Sequence, residues 1–335
     1  MDVVSGASTE PRSCHRMIEH WLGSKSQAGG DGGAHMTFLG ILAAFGGGIF
    51  GAAIGGLPAF QVVGFFVIIG SVAHITTGAE TFYGVPFGIL GPHVGGFASG
   101  VAAVAYAASR KKIDSGRNIV AGLMGLGSPD VLLVGGIFGI FGYGVQWGLA
   151  KIPGFGASYV WTDTVALTVV ISAIVARLLF GKTGLFGTPA EGVKRYSPPS
   201  ATRWVPYQSS SGQLAIIGLG VGLLAGYLAI TFGAAGIFLS FGLAAASLIF
   251  LQFGVQIPVT HHIALPAAIA AAVSGSLIWG GVFGVVCAFV GEFMACTFLV
   301  HGDTHIDPPA ATIAPMTTLA NLLAALGFFS LLPLP

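Results

Sequence analysis

The sequence predicts an all-α integral membrane protein, with about ten transmembrane helices in two inverted five-helix repeats. Three observations lead there. Of 335 residues, 54% are hydrophobic and only 7% are charged, whereas a soluble domain carries about 25% charged residues. Apolar stretches recur at the length of about 17 to 25 residues that a helix needs to cross a hydrocarbon core about 30 Å thick. Motifs of the N-terminal half return, in the same order, in the C-terminal half.

The mean hydropathy of +0.87 leaves too few polar residues to cover a water-facing globule. Lipid is the expected surroundings, and charges are expected in loops because one near a helix centre costs about 2.5 to 3.5 kcal/mol on insertion scales. A net charge of +1 provides no basic field for nucleic acid. Cys14, Cys287 and Cys296 form no CxxC pair, and the last two fall in an apolar stretch, which makes them packing residues.

Residues 1–36 are polar and Gly-rich, with Arg12, Arg16 and Lys25. They read as a disordered tail, or as a stretch that translation starting at Met36 would omit. The first membrane half, 37–181, holds spans near 37–57, 59–78, 92–108, 131–150 and 162–181, with the charged loop RKKIDSGR at 110–117 after the third. A polar connector, 182–212, carries Lys194, Arg195 and several prolines. The second half, 213–335, holds spans near 213–232, 234–254, 262–278, 280–300 and 309–331. Between its third and fourth spans only Ser274–Gly275 and Trp279–Gly281 offer a turn.

Many of the 54 glycines stand four apart. Gly47, Gly51 and Gly55 do so, as do Gly96 and Gly100, Gly135 and Gly139, Gly218, Gly222 and Gly226, and Gly280 and Gly284. That spacing puts them on one helix face, where a missing side chain lets a second helix approach closely.

The internal similarity pairs GGIFG at 135–139 with GGVFG at 280–284, and DTVALTV from Asp163 with DPPAATI from Asp307. Ala176, Leu178 and Leu179 recur as Ala320, Leu322 and Leu323, while His93 and Ala98 recur as His262 and Ala267. Five spans per half is an odd number, so the second half inverts relative to the first. The loop after span three (Arg110, Lys111, Lys112, Arg117) and the connector counted from Arg177 (Arg177, Lys182, Lys194, Arg195, Arg203) then share a side. By the positive-inside rule that side is cytoplasmic, which puts both termini outside a prokaryotic inner or plasma membrane.

Polar residues that could carry chemistry are few. Glu292 falls within a span, where an ionisable group is a functional-site hypothesis by default. His93, His261 and His262 begin spans, and Asp163 and Asp307 precede spans five and ten, where a carboxylate also suits an N-cap. These six are the candidates for a substrate or ion pathway. The run HGDTHIDPP supplies His301, Asp303 and His305 as candidate ligands for a divalent metal. Catalytic motifs of soluble enzymes are absent. ARLLFGKT at 176–183 has Ala176 where a phosphate loop needs glycine, GLGVGLLAG at 218–226 lies inside a span, and no GxSxG or HExxH occurs.

GGIFGAAIGGLPAF at 47–60, GPHVGG at 91–96 and SPDVLLVGGIFG at 128–139 resemble sequences of an uncharacterised family of prokaryotic multi-pass membrane proteins, a domain of unknown function. The resemblance implies a stand-alone membrane protein and brings no activity or site residues. The expected function is a secondary transporter or ion-coupled permease for a small solute or ion. Its coupling cation is unspecified, its site lies near the midplane, and a homo-oligomer or partner subunit is left open. The alternatives are a membrane-embedded metal-dependent enzyme using His301 to Asp307, and a non-catalytic subunit of a larger complex.

Overall fold

The structure is a computed structural model that describes residues 36–152 and 161–334. The polar tail expected over 1–36 lies, but for Met36, outside the described residues. Among the described residues there is no strand. The chain forms α1 (Phe38–Ile54), α2 (Gly56–Thr77), α3 (Ala98–Ser109), α4 (Pro129–Ala150) and α5 (Thr164–Phe180), then the connector. The second series is α6 (Ser211–Phe232), α7 (Ala234–Ser247), α8 (His261–Ser274), α9 (Leu277–Met294) and α10 (Pro308–Ala325), followed by the short α11 (Phe328–Leu331). A 3₁₀ stretch Leu248–Phe253 extends α7, and a π-helical turn Ala295–Leu299 extends α9.

Five of these are long and apolar enough to cross a membrane: α2, α4, α6, α7 with its extension, and α9 with its extension. Their outer faces carry Phe65, Leu133, Ile216, Leu224 and Phe289, all exposed, and across the ten long helices the acidic and basic residues are Asp130, Arg177 and Glu292 alone. Ten full spans are more than the helices supply. Residues 92–97, expected to begin the third span, wind inward together with residues 84–91 through successive turns, and α3 keeps only 12 helical residues, about 18 Å of rise. The expected span 262–278 is likewise 14 helical residues, because Gly275 at φ 68 ends α8. That left-handed residue is the doubtful turn between the eighth and ninth segments. The last expected segment, 309–331, ends its main helix at Ala325.

Packing repeats between the two series. In each, the fourth helix lies against the first, the third against the first, fourth and fifth, and the fifth against the fourth: α4 on α1 as α9 on α6, α3 on α5 as α8 on α10. The first seams are backbone contacts made by glycine. A Cβ on Gly139 would stand 2.9 Å from the Cα of Gly48, and one on Gly284 would stand 2.7 Å from the Cα of Gly222. Missing side chains at these positions let the helix backbones approach this closely, the kind of packing that joins helices where lipid offers no hydrophobic drive. Corners repeat too: a single glycine of positive φ joins α1 to α2 (Gly55, φ 100) and α6 to α7 (Gly233, φ 60), a region that L side chains avoid. Between the series the main pairs are α2 with α7 and α5 with α10. Gly64 of α2 meets the backbone of Ala246 on α7, and Thr162 donates to the carbonyl of Ala314 on α10 at 3.0 Å.

The charged loops gather at one end. Arg117 donates to the Val300 carbonyl, residues 116 and 304 form a bridge, and the Lys182 amide donates to the Asp303 carboxylate. The connector also grips the extended segment before α8, where Tyr207 Oη donates to the Ile257 carbonyl and Gln208 exchanges two bonds with Val259.

Candidate functional site

Four short or late-starting helices begin inside the molecule. Their starts at Ala98, Thr164, His261 and Pro308 surround a cavity of about 1030 Å³ that receives residues from both series. α5 and α10 begin there for the same local reason. Asp163 and Asp307 have extended backbones, and one carboxylate oxygen of each accepts from the amide three residues on, Ala166 at 2.9 Å and Ala310 at 2.8 Å. Those bonds satisfy first-turn donors that would otherwise be orphaned, and they set the negative group against the positive end of the helix. In the second series the Asp307 carboxylate is also hydrogen-bonded to His305 Nε2 at 3.1 Å, with both residues buried.

Of the six pathway candidates, His93, Asp163, His261 and Asp307 line this cavity, and so does His305 from the metal set. His262 does not. It is 1% exposed, turned toward Trp204 and the glycine face of α9 at Gly291, and neither ring nitrogen has a hydrogen-bond partner. Successive helix positions point about 100° apart, so of the adjacent pair only His261 reaches the cavity. Glu292 is outside the wall as well. Its carboxylate accepts from Arg203 of the connector at 2.6 Å, and it is Arg203 that lines the cavity.

The metal set His301, Asp303 and His305 does not assemble. His301 Nε2 is hydrogen-bonded to the Arg195 carbonyl at 2.9 Å, while Asp303 accepts from Thr183 Oγ1 at 2.8 Å and from the Lys182 amide. Both thus bind the connector while His305 faces Asp307. Among the described residues no three His, Cys, Asp or Glu side chains form a group that could hold a metal ion.

Among the described residues the most buried charge is one that the sequence counts with the basic connector and the structure places inside a helix. Arg177, in the last turn of α5, is 1% exposed and lies beneath the loop that follows α9. Its guanidinium donates to the carbonyls of Leu185, Phe298 and Thr304 and to Thr304 Oγ1, and Gly302 leaves room for it. A planar fork with five donors suits such a set of acceptors. Its sequence signal was present: an arginine followed by Leu178, Leu179 and Phe180 is still within an apolar helix.

Aromatic rings make up much of the wall. Phe60 stands 4.7 Å from the His261 ring and Phe97 stands 5.9 Å from the His305 ring, with Phe238, Phe241, Trp147 and Trp204 around them. Towards the connector the wall holds Arg117 and Arg203, and at the far end Tyr83, Tyr143 and Gln146.

In comparisons with known proteins, the chain matches a family of unknown function (DUF7973) over residues 32–203 and 191–333. Neither a curated protein nor a solved structure matches it.

Proposed function

The chain belongs to this family of unknown function, and from that footing we propose that it is a secondary transporter or ion-coupled permease of the cell membrane. A small solute would occupy the cavity between its two halves. The observation that carries the reading is the cavity itself, walled by the starts of α3 and α5 from one half and of α8 and α10 from the other. Sites of this kind, at the interface of inverted repeats and next to interrupted helices, let one half rock against the other around a bound solute. The matching seams of α1 with α4 and α6 with α9 support treating each half as a rigid unit, and the family match in two segments supports the duplication. The α2–α7 crossing, in backbone contact at Gly64 and Ala246, would serve as the pivot. Inversion would set the connector end, with its basic loops, in the cytoplasm and both termini outside.

Two sets of single cysteines, in a chain freed of native cysteines, test this. All four positions of the first set are exposed: 114 and 196 in the basic loops, 79 after α2 and 255 after α7. An impermeant thiol reagent should label 114, 196 and 255 from the cytoplasm and 79 from outside. Labelling of 79 and 255 from the same side would end the inverted plan. The second set lies in the wall, at Thr202 near the connector and Ala150 at the far end. A permease exposes these two reciprocally; a chain whose two positions never exchange accessibility is not one.

A further inference from the structure

We infer that the cavity recognises an uncharged, largely apolar organic molecule bearing a hydrogen-bonding group, held by His93 and His261 among aromatic rings. The inference rests on the reading of this cavity as the solute site. Size argues first. A volume of about 1030 Å³ lies at the upper end of the range of about 300 to 1,000 Å³ that suits drug-sized organic ligands, whereas a water-sized species occupies about 30 Å³. An inorganic ion would leave most of this space unused.

The wall then restricts charge. Each charged side chain facing the cavity already has a protein partner. Asp163 caps α5, Asp307 caps α10 and binds His305, Arg203 binds Glu292 at 2.6 Å, and Arg117 donates to the Val300 carbonyl at 3.2 Å. A ligand ion would have to share a counter-charge already hydrogen-bonded within the protein and would lose its hydration, a large cost in an apolar site. An uncharged ligand avoids that cost, and Phe60, Phe97, Phe238, Phe241 and Trp204 give it flat faces to pack on.

The His93 and His261 rings line the cavity and make no hydrogen bond among the described residues. The histidines are 2% and 6% exposed, one from each half. A buried polar atom left unpaired is costly, so a ligand hydroxyl, carbonyl or amide that bonds to one or both imidazoles gains affinity and orientation.

The test is calorimetric titration of the purified full-length chain in detergent, at neutral pH, with three probes that share one ring system. These are 2-naphthol, uncharged with one hydroxyl; 2-naphthoate, an anion; and 2-naphthyltrimethylammonium, a cation. 2-Naphthol is expected to bind saturably at one site per chain, with the two ions at least about tenfold weaker. His93→Phe and His261→Phe keep a flat aromatic ring and remove the nitrogens, and each should weaken 2-naphthol by about three- to tenfold, the value of one hydrogen bond. The probe order on the unaltered chain decides the question even if a histidine variant fails to fold. Tightest binding of either ion, non-saturable uptake of all three, or histidine variants that bind 2-naphthol unchanged would each overturn the inference. Those failures are separable from failure of the permease reading. A charged probe that binds tightest while positions 150 and 202 still exchange accessibility removes only the ligand class. Saturable 2-naphthol binding with no exchange removes only the permease.

Discussion

The two halves of the molecule share a scaffold and differ in chemistry. Gly48, Gly135 and Gly139 bring α1 and α4 together as Gly222, Gly280 and Gly284 bring α6 and α9, and Asp163 and Asp307 cap equivalent helices. The surroundings of the caps diverge. Where the second half has His305 bonded to Asp307, the corresponding position of the first is Trp161, and Arg177 corresponds to Asn321. The shared devices, glycine seams and N-caps, are local: each depends on one helix pair or one first turn. The groups around the cavity and loops differ because they depend on contacts between distant segments, such as Arg177 with Thr304 and Arg203 with Glu292.

The seams give the largest expected effects and the most direct way to break the comparison. Gly139→Leu and Gly284→Leu each force a side chain into opposing backbone, so each should lower stability by about 3 kcal/mol or more, read as the melting temperature in detergent. Gly220→Leu on α6, where a Cβ meets nothing within 4 Å, should leave melting unchanged. If Gly284→Leu is tolerated while Gly139→Leu is not, the seams are not equivalent. Next comes Arg177, which has no arginine counterpart. Arg177→Met leaves three buried carbonyls without their donor and should cost about 2 to 3 kcal/mol. Arg177→Lys should recover little of that, because one ammonium cannot span the set; full rescue by lysine would show that charge alone is what matters there.

The caps sharpen the comparison on a smaller scale. Asp163→Ala and Asp307→Ala each lose an N-cap, about 1 kcal/mol. Asp307→Ala also strands His305, which should cost about 0.5 to 1.5 kcal/mol beyond the loss of its cap. A double-mutant cycle pairing His305→Gln with Asp307→Asn isolates that extra contribution, and a coupling of zero would mean that the pair does nothing beyond the cap.

Much of the scaffold was legible in the sequence, because hydropathy and caps are local signals. The ten segments, the turn at Ser274–Gly275 and the two aspartate caps emerge near their expected places. The length of α3 went unread although residues 84–97 hold five glycines and two prolines, breakers that local bonds such as Gly91 N–H to the Gly88 carbonyl and Val94 N–H to the Gly91 carbonyl set into successive turns. The choice of His261 over His262 turns on one residue of helical phase. The pairs Arg203–Glu292 and Arg177–Thr304 join segments far apart in the chain, and composition carries no record of such pairing. Metal-ligand spacing in HGDTHIDPP misled for a related reason. Residues two apart in an irregular loop need not face one point, and the connector draws His301 and Asp303 to one side.

Glu292 yields the smallest expected effect and the cleanest separation of pathway from strut. An intramembrane carboxylate invites a transport role, yet this one is bound to Arg203, with the two side chains 12% and 23% exposed. Partly solvated pairs of this kind contribute about 0 to 1 kcal/mol. Glu292→Gln keeps the shape and one hydrogen-bond acceptor, so melting should fall by well under about 1 kcal/mol. Binding of 2-naphthol should be unchanged, because the carboxylate lies behind the wall and only its partner faces the cavity. Arg203→Gln should behave differently, since it strands the Glu292 carboxylate in a half-buried site and alters the wall as well. If Glu292→Gln alone abolishes exchange of accessibility between positions 150 and 202 while melting is preserved, then Glu292 belongs to the transport pathway, and Arg203 is the group that carries its state to the cavity.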